Sequence, residues 1–571
     1  MIDLGKLEDA ENSYRKAIEV KPNYAEAHNN LGIVLRNLGK SQEAELSTRK
    51  ALKIKPDYAN AHNNLGNILS EKGNLQEAKI SIAKAIELKP NFAEAHYNLG
   101  NILKDLGHFG NAINHFKQAI KLNNNLSMAK AALIETKGNI CDYSNHDIQT
   151  NWLKNLGIDG PSVSPIGLLY YEDNPLKHLK RSKNFYQEKY IRPTKIIKSS
   201  KKNIVHIGYF SADFRSHPVM YLIKRILELH DISKFKVYIY SFAKEEDEYT
   251  QRLKKKPFNF RSIYKKSDIE AVEIARNDNL DIAIDLMGFT KNNRMHIFSY
   301  RVSPIQICYL CAPTGSKQID YLIGDKVLIP EGYQKYYSEK ILYMPNSFMC
   351  FDDTRKFSNK CYKRQDFNLP DDAFVMAAFH KNQKITIKEI ESWARILNKI
   401  SNAILWIRGT NKIAEENILK AFKQRGVKID NILFAPRMKS TEEHLSRHLC
   451  ADLFIDTFNW NANSTAIDSL WVGLPVVTLL GKSFTARTSA SLLTTLGLNE
   501  LIAHTPQGYE DIIISLAKEP KKLREIKNKL LKSKYKNPLF NSKVFTKNLE
   551  EIYCNLVDNL EFENNSQNNH S

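Results

Sequence analysis

"NANSTAIDSLWVGLPVVTLLG", residues 461–481, decides the fold. The polar run Asn461 to Thr465 leads into apolar residues at helical spacing, Ala466 to Val472, and Gly473 and Pro475 then stop the helix. "VVTLL" reads as a strand, and "LFIDTF", 453–458, reads as another just upstream. Strand, polar turn, helix, strand is the unit of a parallel α/β sheet. Asn, Ser and Thr at that turn have two readings. They cap helix starts anywhere, because their side chains satisfy orphan amides. Free amides and the helix dipole also favour an anion there. The stretch alone leaves both open.

Working outward, the same alternation fills the chain from Asn203. "IVHIGYFS", "KVYIYSF", "DIAIDLMG", "IQICYL", "DYLIGD" and "KILYM" form one series of strands between helical stretches. "FVMAAFH", "AILWIRG", "NILFAP", "LFIDTF", "PVVTLLG" and "ELIAHT" form a second. A break near 351–366 predicts two Rossmann-like domains, 201–360 and 361–555, with a ligand in the cleft beyond the strand ends. No GxGxxG follows a strand, so no dinucleotide cofactor is expected. The stretch 138–200, with Pro161, Pro165, Pro175 and Pro193, reads as a helical connector. The polar tail 556–571 reads as disordered.

The N-terminal part, 1–137, repeats. "KPNYAEAHNNLG" begins at Lys21, "KPDYANAHNNLG" at Lys55 and "KPNFAEAHYNLG" at Lys89, and Pro22, Pro56 and Pro90 fall at a period of 34. That is the tetratricopeptide length, with Leu-Gly and the later Gly39, Gly73 and Gly107 in place. The expected fold is therefore α plus α/β: a repeat superhelix followed by two Rossmann-like domains. Asn30, Asn64 and Asn98 precede the three Leu-Gly pairs. An amide both donates and accepts, so such a ladder suits an extended peptide backbone on a concave face. Solvated surface asparagines are the plain alternative.

Composition excludes more than it assigns. No apolar run reaches the ~18 residues of a membrane helix, and the acidic amphipathic N-terminus is not a signal peptide. The net charge of +20 comes from diffuse lysine with denser runs at 178–202 and 518–536. No nucleic-acid motif accompanies it. Seven scattered cysteines suggest a reducing, cytoplasmic setting. Cys308 and Cys311 lack further ligands for zinc and read as buried thiols.

Polar residues gather just past strand ends. His217 follows "IGYFS", Lys384 follows "FVMAAF", and His444 and Arg447 follow "ILFAP". Asn463, Ser464, Thr465 and Asp468 follow "LFIDTF". A lysine, a helix start with Ser-Thr and a carboxylate four residues on suit two phosphates and a ribose. No strand-ending Asp-x-Asp is present to carry a divalent metal, so Lys384 and backbone amides are left to neutralise a diphosphate.

The repeats, together with "GYFSADFRSHPV", "DLMGFTKNNR", "SPIQICYL", "DYLIGD", "YSEKILYMPNSF", "FIDTFNWNANSTAIDSLWVGLPVVT", "TARTSASLL" and "PLFNSKVFTKNLEEIY", are similar to the O-linked N-acetylglucosamine transferase family. The resemblance covers nearly the whole chain in motif order. It implies a metal-independent, inverting GT-B enzyme without cofactor. Such an enzyme moves N-acetylglucosamine from its uridine diphosphate to Ser or Thr of proteins held by the repeats. It also implies His217 near sugar and acceptor, Lys384 on phosphate, His444 and Arg447 at the uracil, Asn463, Ser464 and Thr465 on the diphosphate, and Asp468 on the ribose.

Departures accompany the match. The family's His-Thr-Thr is Asn463-Ser464-Thr465 here, a second active-site histidine falls on Asn259, and an amide residue three before Lys384 is Lys381. Lys439 stands near the position of the family's uridine-contacting lysine, behind a segment one residue longer. Two other readings stay open: a related transferase using GDP-fucose or another UDP-hexose, and a decayed transferase serving as a repeat scaffold. Neither a nucleic-acid partner nor a membrane span is expected, and association through the repeats is possible.

Overall fold

The computed structural model describes residues 4–144, 146–190, 197, 202–534 and 536–568. Pro193 and the tail residues 569–571 lie outside them. The chain divides into two compact units, residues 1–137 with 145–164 and residues 138–144 with 165–571.

The first unit is a stack of helix pairs. Ala25–Asn37 pairs with Ser41–Ile54, Ala59–Glu71 with Leu75–Leu88, and Ala93–Asp105 with Phe109–Leu122. The repeated residues explain the repeated geometry. His28, His62 and His96 each bind the carbonyl of Pro22, Pro56 or Pro90 at 2.9–3.1 Å, fixing the turn before each pair. Ala44, Ala78 and Ala112 are fully buried where helices cross. Gly32, Gly66 and Gly100 lie where a Cβ would run into Thr48, Ile82 or Phe116. Small residues let the two helices of a pair approach.

The second unit holds two sheets, all parallel. β1 (Val205–Ser211), β2 (Phe235–Ser241), β3 (Asn259–Ser262), β4 (Ile282–Asp285), β5 (Ile305–Cys308), β6 (Tyr321–Gly324) and β7 (Lys340–Tyr343) form one, in the order β3-β2-β1-β4-β5-β6-β7. β8 (Phe374–Ala378), β9 (Ala403–Arg408), β10 (Ile432–Ala435), β11 (Leu453–Ile455), β12 (Val476–Leu479) and β13 (Ile502–Ala503) form the other, in the order β10-β9-β8-β11-β12-β13. Strand order reverses beside β1 in the first sheet and beside β8 in the second. At such switch points adjacent loops diverge and open a crevice at the strand ends.

Three expectations change. β3 was not foreseen: "NFRS" has no β-branched residue and lies at the sheet edge, where one neighbour suffices. The disordered stretch expected from 556 is corrected, because one helix runs from Ser542 to Asn568. Phe545, Leu549, Tyr553 and Val557 recur at four-residue spacing and bury against Ile207, Tyr209 and Ile223 of the first sheet and its helix. The thiols expected at Cys308 and Cys311 are corrected to a disulfide. Among the described residues, the potential metal-ligand cluster is Asp285 with these same two bonded sulfurs. No helix among them is long and apolar enough to cross a membrane.

Candidate active site

The two switch points supply the site. After β1 the chain turns through Asp213 to His217, which precedes the helix Pro218–Leu229 in extended conformation. Its Nδ1 lies 3.2 Å from an Asp213 carboxylate oxygen and 3.3 Å from the Val219 amide. Burial pushes the imidazole down to about 4, and the charges of Arg215 and Lys381 push the same way. His217 is thus neutral at physiological pH. Burial raises the Asp213 carboxyl, while Arg215 and Lys381 oppose that rise.

After β8 Lys381 leads into a single turn, Asn382–Lys384, that ends on a second lysine. Lys384 donates to the Asn461 carbonyl at 2.7 Å and lies 5.6 Å from the Trp460 ring centroid. Burial lowers its pKa, and the neighbouring Asp456 carboxylate opposes that. Lys381 is exposed, with its charge in reach of Asp213 on one sheet and Arg408 on the other.

After β11 the quoted stretch takes its shape. The helix Ser464–Trp471 begins without any side-chain cap: Asn463 bonds none of its amides, and the Asn463 Oδ1 is buried without a partner. Ser464 and Thr465 are half-buried at that start. Asp456 accepts from the Thr457 and Ala462 amides and from Thr478, which holds the turn in place. The capping reading therefore finds no bond here, and the helix start follows directly on the loop whose Asn461 carbonyl Lys384 binds.

Asp468, one turn on, is buried and paired with Arg355, whose Nη1 is 2.6 Å from one carboxylate oxygen. His444 Nε2 stands 4.0 Å from the other. His444 and Arg447 share the short helix Thr441–Arg447. Arg447 lies 4.1 Å from the Phe379 ring centroid and donates to the Pro436 carbonyl at 2.6 Å, and its Nε is buried without a partner. Burial, then Arg408, pulls the Arg447 guanidinium down to about 9. Lys384, Asn463, Ser464, Thr465, Asp468, His444 and Arg447 thus surround the strand ends of the second sheet, with His217 at those of the first.

Other sequence-selected residues lie elsewhere. Lys439 is exposed, and its amide donates to Glu443 at 3.0 Å. Asn259 opens β3, where its amide donates to Val237 of the next strand, two strands away from His217. In the repeats, Asn64 donates to Asn29 at 2.8 Å and Asn98 to Asn63 at 2.9 Å, while Asn30 accepts from Asn29. The three form part of a ladder that runs from repeat to repeat.

Sequence reasoning missed Arg355, Asp213 and Arg408. Arg408 ends β9 directly and was visible as a charged residue at a strand end. Asp213 stands four residues before His217, a spacing that pairs side chains only once the turn is known. Arg355 lies in the break between the two strand series, where no periodicity marks it.

The model of glycosyl transferase family 41 matches residues 177–363 and 358–549, more than half the chain. The chain belongs to glycosyl transferase family 41. Tetratricopeptide models match residues 2–39, 66–107 and others of the first unit. Among curated relatives, the chain is 32% identical over 359 residues to a probable UDP-N-acetylglucosamine–peptide N-acetylglucosaminyltransferase SEC of Arabidopsis thaliana. That match covers 61% of this chain and 36% of the relative. A SPINDLY protein of Solanum lycopersicum carrying the same description is 29% identical, over 61% of this chain and 38% of its own length. The chain thus spans little more than a third of these curated relatives. Among solved structures, an O-GlcNAc transferase mutant of Thermobaculum terrenum superposes with a TM-score of 0.69 at 25% identity, covering 94% of this chain and 98% of that one. Family 41 membership and this likeness agree with helical repeats followed by two parallel Rossmann-like sheets of GT-B type.

Proposed function

We propose that this family 41 chain transfers N-acetylglucosamine from UDP-N-acetylglucosamine to Ser or Thr hydroxyls of proteins, with inversion and without metal. The names of its relatives as UDP-N-acetylglucosamine–peptide N-acetylglucosaminyltransferases support the donor. The observation that carries the reading is the Lys384 ammonium set against the uncapped start of Ser464–Trp471. Free amides, a helix dipole and a buried cation make one cradle for a diphosphate.

In this reading the acceptor hydroxyl oxygen attacks the anomeric carbon. Its proton passes to His217 Nε2, and the bond from the anomeric carbon to the diphosphate breaks, its electron pair leaving on the β-phosphate. Lys384 and the amides of Ser464 and Thr465 stabilise the charge that develops there. Asp213 accepts the Nδ1 proton of His217, which leaves the Nε2 lone pair free as base. Lys381 replaces an amide near the sugar and adds positive charge. Asp468 binds the ribose, His444 and Arg447 the uracil, and Asn30, Asn64 and Asn98 the acceptor backbone. Lys439, exposed at the helix start before His444, is proposed at the outer edge of the uridine site.

A cytoplasmic setting is part of the proposal, with five cysteines free against one Cys308–Cys311 bond. Self-association through the repeats is proposed from Leu46 and Ile80, exposed apolar residues at equivalent positions of successive repeats, with sedimentation as its test. For the activity, the purified chain is assayed on a protein acceptor with UDP-N-acetylglucosamine, another UDP-hexose or GDP-fucose. UDP-N-acetylglucosamine is expected to serve best, in excess EDTA as well as without it. Transfer from GDP-fucose alone, or magnesium-dependent transfer, would overturn the reading.

A further inference from the structure

Arg355 belongs to neither sheet. It lies on the segment between β7 and β8, yet its guanidinium reaches into the second sheet's crevice and meets Asp468. The contact is unequal: Nη1 is 2.6 Å from Oδ1, but Nη2 is 3.5 Å from Oδ2. The second oxygen therefore keeps lone pairs for other donors, and a carboxylate offers about four acceptor sites in all. The guanidinium is itself fixed, with the ring centroids of Phe351 and Tyr221 4.9 and 5.4 Å away. One side of it lines a cavity of about 510 Å3, together with Tyr221, Tyr249, Phe357 and Thr441.

A purely structural salt bridge is the competing explanation. Buried ion pairs add little net stability, since desolvation offsets their attraction. A pair whose function is only to join two lobes has no need of an open face. Here Arg355, though not Asp468, borders that cavity, one carboxylate oxygen is loosely held, and His444 Nε2 stands 4.0 Å from it.

We propose that Arg355 is a positioning residue of the donor site, holding the Asp468 carboxylate so that its remaining lone pairs meet the vicinal diol of a ribonucleotide. The proposal rests on the nucleotide reading above.

The test is calorimetry on the full chain with three probes: UDP, 2′,3′-dideoxy-UDP and pyrophosphate. Arg355→Gln is expected to weaken UDP about tenfold, the scale of one hydrogen bond to a charged group. Dideoxy-UDP should change less than about twofold, since it has no diol to place, and unchanged pyrophosphate binding verifies the fold. Arg355→Lys should restore part of the loss, and adding Asp468→Asn to Arg355→Gln should cost nothing more. Equal weakening of UDP and dideoxy-UDP, or no change in either, overturns the proposal while leaving the nucleotide reading intact. A parent chain that binds no UDP overturns both.

Discussion

One nitrogen of His217 has two suitors. Nδ1 can donate to Asp213 or accept from the Val219 amide, but a single neutral tautomer cannot do both. If Asp213 prevails, Nε2 is a base; if the amide prevails, Nε2 carries the proton and is none. Asp213→Asn replaces the acceptor with a group whose NH2 favours the wrong tautomer. Turnover is expected to fall by about 10²–10⁴ while UDP affinity, read by calorimetry, holds. Because burial holds His217 near about 4, the base stays unprotonated as pH falls past about 6.5, where a free imidazole titrates. The kcat/KM profile should therefore be flat there and decline only in acid nearer that lower value. Lys384 makes the opposite statement. Burial favours its neutral form, and a bound diphosphate favours the ammonium, so UDP binding should take up protons. Binding heats in two buffers of unlike ionisation enthalpy measure this, and Lys384→Met should abolish it. His217 and Lys384 were legible because each follows a strand directly. Arg355 and Asp213 were not, since their partners come from turns and a linker that no periodicity predicts.

The elements were legible in proportion to how much of their pattern is local. Six strands of the first series and six of the second carry β-branched or aromatic runs, and each became a strand. β3 lacks that signal and is held by β2 alone. The repeats were plain because their constraints recur: a histidine on a proline carbonyl, a glycine under a neighbouring helix. That glycine can be tested. At Gly66 an added Cβ meets Ile82 Cγ1 and Cδ1, so Gly66→Ala is expected to lower repeat stability by about 1–3 kcal/mol through overpacking. Combining it with Ile82→Ala should recover part of that loss in thermal melts followed by circular dichroism. Additive losses would place the constraint elsewhere.

At the scale of the molecule, the last helix leaves the second sheet and packs on the first. Its amphipathic spacing was in the sequence, but the surface it needs lies more than three hundred residues earlier, and a polar ending hid it. Leu549 is fully buried in that contact. Leu549→Ala should cost about 2–5 kcal/mol, measured by denaturant unfolding, whereas Glu551→Ala, exposed two residues on, should be close to neutral. The chain thus passes between the sheets twice, and the two passages touch. The Phe351 amide donates to the Leu539 carbonyl at 3.0 Å, and Ser542 Oγ donates to the Phe351 carbonyl at 3.0 Å. The lobes are therefore joined by two adjacent pins that are bonded to each other. A protease that nicked the chain at 356–359 would remove one pin and leave the other, so the severed halves should still travel as a single particle.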